Sequence, residues 1–166
     1  IDGLIRELNS PRALRWLERE TGILGLVADP HLYGGGIHSS GPGGFLDVHA
    51  DFMVHPLTGY QRILNLLIYL TPDWHPSWGG ALELWDKDML YAAARYPCAF
   101  NTAVLFECSA TSYHGVGKIT CPRQRQRNSI ALYYYRPWPA NFSGTILRTT
   151  DYHPRPMQFG KRLRRA

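Results

Sequence analysis

Two histidines and one aspartate in the sequence are spaced as ligands of a single metal ion. His49 and Asp51 are separated by one residue, and on a β-strand such positions point to the same face. His114, in the segment SYHGV, follows a predicted apolar strand and precedes a glycine, so it is the best candidate for a third ligand. Two histidines and one carboxylate form the facial triad that binds non-haem Fe(II) and leaves coordination positions open.

The spacing alone is also compatible with roles that involve no metal, because H-x-D pairs arise by chance and single histidines often serve as hydrogen-bonded core or surface residues. His55 is close to Asp51 but lies beyond the predicted strand end, next to Pro56. Three further histidines lie in proline-containing loops and are weaker candidates: His31, His75 and His153. A set of two histidines and one aspartate can also hold zinc, in a hydrolase or in a β-barrel module without redox chemistry.

A basic residue near the start of a later strand indicates a second part of the site. A metal-bound 2-oxo acid has a distal carboxylate that requires a buried cation, ideally a guanidinium group. Arg127 lies 13 residues after His114, at the start of RNSIALYYY, where it can turn inward beneath the metal. Arg125 and Lys118 are alternatives, and the run RQRQR can also be a solvated series of charges. A zinc hydrolase has no general need for Arg127, and no HExxH motif is present.

Short strands between glycine-rich turns are predicted to position these residues. Ser10 and Pro11 are typical of a helix start and Gly22 of a helix end, which predicts a helix over residues 10–21. Five strands are predicted from apolar and strand-forming runs, over residues 45–51, 62–70, 81–85, 102–106 and 128–135. Residues 86–95 (DKDMLYAAAR) are predicted to form a short helix before Pro97. The pattern indicates one domain over residues 1–166, a helix-flanked β-sandwich or barrel.

Composition and charge narrow the classes of function. The 166 residues are 45% apolar and 19% charged, and no apolar run approaches the ~20 residues that span a bilayer. The net charge is +5, of which four charges come from the tail residues Lys161, Arg162, Arg164 and Arg165. The rest of the chain therefore carries only +1, so neither a nucleic acid nor a membrane is expected as a partner.

The cysteines indicate the compartment. Cys98, Cys108 and Cys121 form an odd set without a CxxC motif, which is typical of neither a disulfide framework nor a zinc clamp. We expect reduced thiols and a cytoplasmic location, with Cys108 as a small buried hydrophobe. The chain opens on Ile1, which is typical of a trimmed piece of a longer protein.

Five ordered segments resemble the prolyl 4-hydroxylase-like branch of the 2-oxoglutarate/Fe(II) oxygenases. They are HADFMVHP, ILNLLIYLTPDW, GGALELWD, SYHG and RNSIALYYY, and the resemblance covers a core of about residues 37–136. It implies a mainly β double-stranded β-helix (jelly-roll) with flanking N-terminal helices. The implied reaction hydroxylates a substrate while 2-oxoglutarate is oxidised to succinate and CO2, with Fe(II), O2 and ascorbate as further cofactors.

The resemblance also implies roles for individual residues. His49, Asp51 and His114 match the iron ligands, and Arg127 matches the basic residue that pairs with the distal carboxylate of 2-oxoglutarate. Tyr69 falls where the hypoxia-factor prolyl hydroxylases place a tyrosine on the same carboxylate, and a core tyrosine is the alternative. His38 is expected near the cosubstrate. Related halogenases replace the carboxylate ligand, so the presence of Asp51 favours hydroxylation.

The substrate is the least determined part of the prediction. Glu83 and Trp85 are candidates for substrate contact, although Glu83 alternates with apolar neighbours and can instead face water, and tryptophans beside a glycine turn often serve in loop packing. The substrate is expected to be a prolyl or other side chain in a peptide or protein, or alternatively a small molecule such as a free amino acid. Collagen prolyl hydroxylases use lysine where Arg127 stands, and no segment resembles their peptide-binding domain.

Overall fold

Two facing antiparallel β-sheets and two N-terminal helices make up the computed structural model, which describes residues 1–156. The basic tail residues Lys161, Arg162, Arg164 and Arg165 lie outside the described residues. Helix α1 spans Asp2–Leu8 and helix α2 spans Pro11–Thr21. The Ser10 hydroxyl accepts a hydrogen bond from Ala13 N at 3.2 Å, and Gly22 ends α2 at φ 72°. The helix predicted for residues 10–21 is thus confirmed.

Within residues 1–156, ten strands form the two sheets. They are β1 (Val27–Ala28), β2 (Gly36–Ser40), β3 (Leu46–Ala50), β4 (Gln61–Tyr69), β5 (Leu82–Trp85), β6 (Ala92–Tyr96), β7 (Ala103–Glu107), β8 (His114–Val116), β9 (Arg127–Arg136) and β10 (Asp151–His153). One sheet has the order β1-β9-β4-β7, with β2 also paired to β9, and the other has the order β10-β3-β8-β5-β6. All five predicted strands are present, as β3, β4, β5, β7 and β9.

The long central strands β4 and β9 separate the main hydrophobic core from the cavity between the sheets. On the outer face, Leu64 of β4 and Leu132 of β9 pack with Leu17 of α2, and each is almost fully buried. Burial of one such side chain contributes roughly 1.5–3 kcal/mol. Alternate residues of the same strands, such as Leu67 and Ala131, face the other sheet and line the cavity. This is the reason that both runs are apolar on both faces.

The helix predicted for residues 86–95 is wrong, since this segment is a turn followed by strand β6. The carboxylate of Asp86 accepts hydrogen bonds from the backbone N–H groups of Asp88, Leu90 and Tyr91. Met89 has φ 58°, which a right-handed helix cannot contain. Residues 92–96 then pair with β5. Side-chain capping and strand pairing therefore override the helix propensity of MLYAAAR.

All three cysteines are buried and free, and Cys108 is 4% exposed, as expected for a small buried hydrophobe. Among residues 1–156, no helix combines the length and the apolar character needed to cross a bilayer.

Candidate functional site

His49, Asp51 and His114 meet between the two sheets. Strands β3 and β8 pair so that His49 lies opposite His114, with ring centroids 4.3 Å apart. Asp51 follows the last residue of β3, and its Oδ1 lies 3.4 Å from His49 Nε2 while its Oδ2 lies 3.3 Å from His114 Nε2. One potential ligand atom of each residue lies within 4.8 Å of the other two, the only such group of three among residues 1–156.

Backbone carbonyls fix the orientation of both imidazole rings. Nδ1 of His49 donates to the carbonyl of Asp47 at 2.8 Å, and Nδ1 of His114 donates to the carbonyl of Ser112 at 3.0 Å. A carbonyl oxygen only accepts, so Nδ1 must carry the proton, and in a neutral imidazole Nε2 then presents a lone pair. Two lone pairs and a carboxylate therefore converge on one point, and a cation is the group that fits them.

Asp51 is ionised in this environment. Burial alone would raise the pKa of Asp51, but contacts with His114 and His49 and the charge of Arg62 outweigh it and hold the pKa well below its usual range. Without a cation, the two rings would have to be protonated to donate to Asp51. A divalent ion with neutral rings supplies the same positive charge, so the donor set suits Fe(II) or a similar ion.

The remaining histidines of the described chain do not extend this group. His55 is 2% exposed, and its Nε2 lies 3.3 Å from Asp29 Oδ1. Because Nδ1 of His55 accepts hydrogen bonds from two backbone N–H groups, this ring is a satisfied core histidine. His75 and His153 bond within their own loops or strands, and His31 lies beside His55.

Arg127, which lines the cavity of the triad, and Tyr69, which packs against Arg127, each have an unpaired buried polar atom. Arg127 is 5% exposed and donates from Nε to the carbonyl of Gly80 at 2.9 Å and from Nη1 to the hydroxyl of Ser129 at 3.3 Å. Its Cζ lies 5.0 Å from the ring centroid of Tyr69. Among the described residues, neither Arg127 Nη2 nor the Tyr69 hydroxyl has a hydrogen-bond partner, although both are buried. A carboxylate placed here would satisfy a guanidinium N–H and a phenol O–H together.

The alternatives to Arg127 lie elsewhere. Arg125 is half-buried, and its Nη2 donates to the carbonyl of Pro72. Lys118 is exposed. Because strand β9 begins at Arg127, only this arginine of the RQRQR run is carried inward by the strand.

His38 lies at the mouth of the cavity that holds the triad. The inner cavity has a volume of about 90 Å³ and is lined by His49, Asp51, His114, Arg127 and His38. An outer chamber of about 340 Å³ shares His38 and Arg127 with it and has Phe45 on its rim. Burial, together with the charge of Arg127, lowers the pKa of the partly exposed His38, which favours the neutral ring near neutral pH.

Glu83 and Trp85 are not brought to this cavity. On β5, Leu82 faces the triad, while Glu83 and Trp85 point to the opposite face and line a separate surface pocket. There Glu83 accepts hydrogen bonds from Trp85 Nε1 at 3.2 Å and from Arg155 Nε at 3.1 Å. Glu83 is thus already paired, and substrate contact by these two residues stays a prediction.

Arg62 and Asn65 belong to the site but were not found from the sequence. Arg62 is 1% exposed, and its Nη2 lies 3.0 Å from Asp51 Oδ2, an ion pair without the angle of a hydrogen bond. Asn65 Nδ2 donates to the same oxygen at 2.8 Å. Apart from Tyr69, they are the only polar side chains in the apolar run RILNLLIYL, and this is the signal by which the sequence could have indicated them.

Comparisons with known proteins agree with this geometry. A family model described as the 2OG-Fe(II) oxygenase superfamily matches residues 35–155. Prolyl 3-hydroxylase OGFOD1 of Mus musculus is 31% identical over 81 residues, which cover 46% of this chain and 14% of that protein.

Two solved structures are similar in fold. An oxidoreductase of the 2OG-Fe(II) oxygenase family from Burkholderia pseudomallei aligns with TM-score 0.61 and 14% identity, over 89% of this chain and 59% of that chain. A Pseudomonas putida prolyl-4-hydroxylase aligns with TM-score 0.58 and 20% identity, over 83% of this chain and 65% of that chain. The chain thus spans less than two thirds of the length of each of these three proteins, and its fold is the double-stranded β-helix with N-terminal helices.

Proposed function

Because this chain belongs to the 2OG-Fe(II) oxygenase superfamily, we propose that it is a 2-oxoglutarate-dependent dioxygenase that hydroxylates a prolyl or other side chain of a peptide or protein. The observation that carries the proposal is that two sets of polar groups without partners lie in the same interior. Three acceptors converge at His49, Asp51 and His114, and two buried donors lack partners at Arg127 and Tyr69. A divalent cation with a bound dicarboxylate satisfies both.

When bound, Fe(II) and 2-oxoglutarate would supply oxygen activation: one atom of O2 would be inserted into a C–H bond of the substrate and the other would enter succinate, with loss of CO2. His49, Asp51 and His114 hold the metal in this assignment. Arg127 pairs with the distal carboxylate of 2-oxoglutarate, and the hydroxyl of Tyr69 donates to it. His38, neutral at the mouth, borders the cosubstrate without adding charge. Strands β4 and β9 line the pocket on one face and pack against the hydrophobic core on the other.

The peptide or protein substrate is supported by two of the relatives, which are named as prolyl hydroxylases. The outer chamber beside His38 is open and has the exposed Phe45 on its rim. A side chain presented by an extended segment can enter such a mouth while the backbone stays outside.

The test measures succinate formed from 2-oxoglutarate with Fe(II) and O2, for the wild type and for Asp51→Ala. We expect the wild type to form succinate, and to form more of it when a peptide that it can hydroxylate is added. The Asp51→Ala variant should form none.

Peptides and free amino acids are then screened by mass spectrometry for the gain of one oxygen atom. If only small molecules gain an oxygen atom, the peptide or protein substrate is wrong. If Asp51→Ala forms as much succinate as the wild type, Asp51 is not a metal ligand. Hydrolysis of a substrate with zinc in place of iron, and without O2, would instead indicate a zinc hydrolase.

A further inference from the structure

The side chains of Leu46 and Val116 line both the inner cavity and the outer chamber, beside Arg127. Leu46 and Val116 are register partners on β3 and β8. Between this pair and the pair of His49 with His114, β3 contains one residue more than β8, which is a β-bulge. Residues three apart on a regular strand face opposite sides, so the bulge is what turns both Leu46 and His49 towards the cavity.

Arg155 covers the outer face of the sheet at this bulge. It follows strand β10, which pairs with the free edge of β3. Its Nη2 donates to the carbonyl oxygens of Leu46 and Val116, each at 3.1 Å. Gly115 leaves the space for this contact, since a Cβ there would lie 2.9 Å from the carbonyl oxygen of Leu46 and 3.2 Å from Arg155 Nη2. One guanidinium nitrogen thus joins β3 to β8 directly behind the wall of the cavity.

Two carboxylates hold Arg155 in this position. Its Nε donates to Glu83 Oε2 at 3.1 Å and its Nη1 to Asp47 Oδ1 at 3.3 Å, so all three nitrogens of the guanidinium have partners. The side chain is 17% exposed. Ion pairs at a partly exposed surface contribute little to stability, whereas the planar guanidinium fixes the distances between its acceptors on β3, β5 and β8. The main effect of Arg155 is therefore on the geometry of the sheet.

We infer that Arg155 is a positioning residue for 2-oxoglutarate, which acts by fixing Leu46 and Val116 as the apolar wall of the cosubstrate pocket. The inference rests on the proposed function, in which the triad holds the metal and Arg127 pairs with the distal carboxylate. The methylene groups between the two ends of 2-oxoglutarate are left for an apolar wall. Because the histidine rings have their own backbone anchors, loss of Arg155 should weaken cosubstrate binding and leave metal binding intact.

The test uses Arg155→Met, which keeps a long unbranched side chain and removes its donors. Calorimetry measures the Kd of Mn(II), and then the Kd values of 2-oxoglutarate and of oxalate for the Mn(II)-loaded protein. Oxalate chelates the metal but has no methylene groups. We expect the 2-oxoglutarate Kd to rise about fivefold through lost contact with its methylene groups, while the Mn(II) and oxalate Kd values stay within about twofold of wild type. A general loss of packing would instead weaken the binding of all three.

A double-variant cycle tests whether Arg155 acts through the wall. Leu46→Ala shortens the wall directly and should also raise the 2-oxoglutarate Kd alone. Because a contact that is already absent cannot be lost again, the variant with both substitutions should bind 2-oxoglutarate about as well as Leu46→Ala does. Full multiplication of the two single effects would overturn the positioning role.

Arg95→Met is the matched control, because Arg95 Nε also lies near Glu83, at 3.5 Å from its Oε1, but belongs to the edge strand β6 and is 62% exposed. It should leave all three Kd values at wild-type levels. If Arg155→Met does not fold, Arg155→Lys carries the same test, since one ammonium group cannot replace a planar fork that joins two carboxylates and two carbonyls.

The outcomes separate this inference from the proposed function. A wild-type protein that binds neither Mn(II) nor 2-oxoglutarate overturns both. A wild type that binds both, with an Arg155 variant that leaves 2-oxoglutarate binding unchanged or weakens Mn(II), oxalate and 2-oxoglutarate in parallel, overturns the positioning role and leaves the proposed function standing.

Discussion

Replacing Arg127 by methionine should weaken 2-oxoglutarate binding strongly while leaving the empty protein about as stable as before. Methionine keeps an unbranched apolar stem and removes the guanidinium. The lost interaction is a charge-assisted contact between Arg127 Nη2, which has no partner in the described chain, and a carboxylate. Such contacts contribute about 1.5–3 kcal/mol each, and leaving a carboxylate unpaired in a buried site costs more.

We therefore expect a loss of about 3 kcal/mol, which corresponds to an increase of about 100-fold in the 2-oxoglutarate Kd. The stability of the empty protein behaves differently. No carboxylate of residues 1–156 forms an ion pair with Arg127, so the variant removes a buried cation that has only neutral partners. Relief of this unfavourable burial offsets the loss of the bonds to Gly80 and Ser129, and the unfolding free energy should change by less than about 1 kcal/mol.

Calorimetry of 2-oxoglutarate binding to the Mn(II)-loaded protein and thermal unfolding of the metal-free protein measure the two effects. Arg125→Met is the matched control, because that arginine lies two residues earlier, does not line the cavity of the triad and donates to the carbonyl of Pro72 instead. Its 2-oxoglutarate Kd should equal that of the wild type. A 2-oxoglutarate Kd within threefold of wild type for Arg127→Met, with Mn(II) binding intact, would refute the assignment of Arg127.

Three further predictions concern the same pocket. Tyr69→Phe should leave the unfolding free energy of the ligand-free protein unchanged or raise it by up to about 1 kcal/mol, because the Tyr69 hydroxyl has no partner in the described chain. The 2-oxoglutarate Kd should rise about fivefold. A clearly lower Tm would contradict this. Gly80→Ala should cost about 1–3 kcal/mol in unfolding free energy and weaken 2-oxoglutarate binding, because Gly80 has φ +75° and a Cβ there would lie 3.0 Å from Arg127 Cδ. The control Gly43→Ala, at φ +86° with open space around it, should lose stability only. The pKa of His38 is lowered in the folded protein, which therefore resists protonation of this ring. The stability that depends on the neutral ring is complete above the unfolded pKa of 6.5 and is lost as the pH falls below it. Urea unfolding across this range should show a shallower pH dependence for His38→Gln, and an identical slope would contradict the cause given for the shift.

The parts of the fold that follow from local patterns could be predicted from the sequence. Ser10 and Gly22 mark the ends of α2 because a cap and a left-handed residue act within one helical turn. His49 and Asp51 share a face because the strand period of two acts locally. Arg127 could be placed because the strand it begins is long and apolar.

The remaining features depend on interactions between distant segments. Residues 86–95 form a turn and part of β6 because β5 is available as a pairing partner. Helix propensity is a local property and does not take such a partner into account. Arg62 and Asn65 are three residues apart and would face opposite sides of a regular strand. An irregularity in the pairing of β4 with β9, between Arg62 and Leu64, brings them to the same face. A period-two pattern cannot anticipate this shift.

The backbone anchors of the two histidines have a consequence for the evolution of the site. Each ring is oriented by the main-chain carbonyl two residues before it, on Asp47 and Ser112. Every amino acid supplies such a carbonyl, so substitution at these two positions leaves the anchors in place. Asp51, in contrast, depends on the particular side chains of Arg62 and Asn65. The histidine half of the site is thus robust to mutation of its neighbours, whereas the carboxylate half tolerates few changes around it, and loss of activity through sequence drift should begin there.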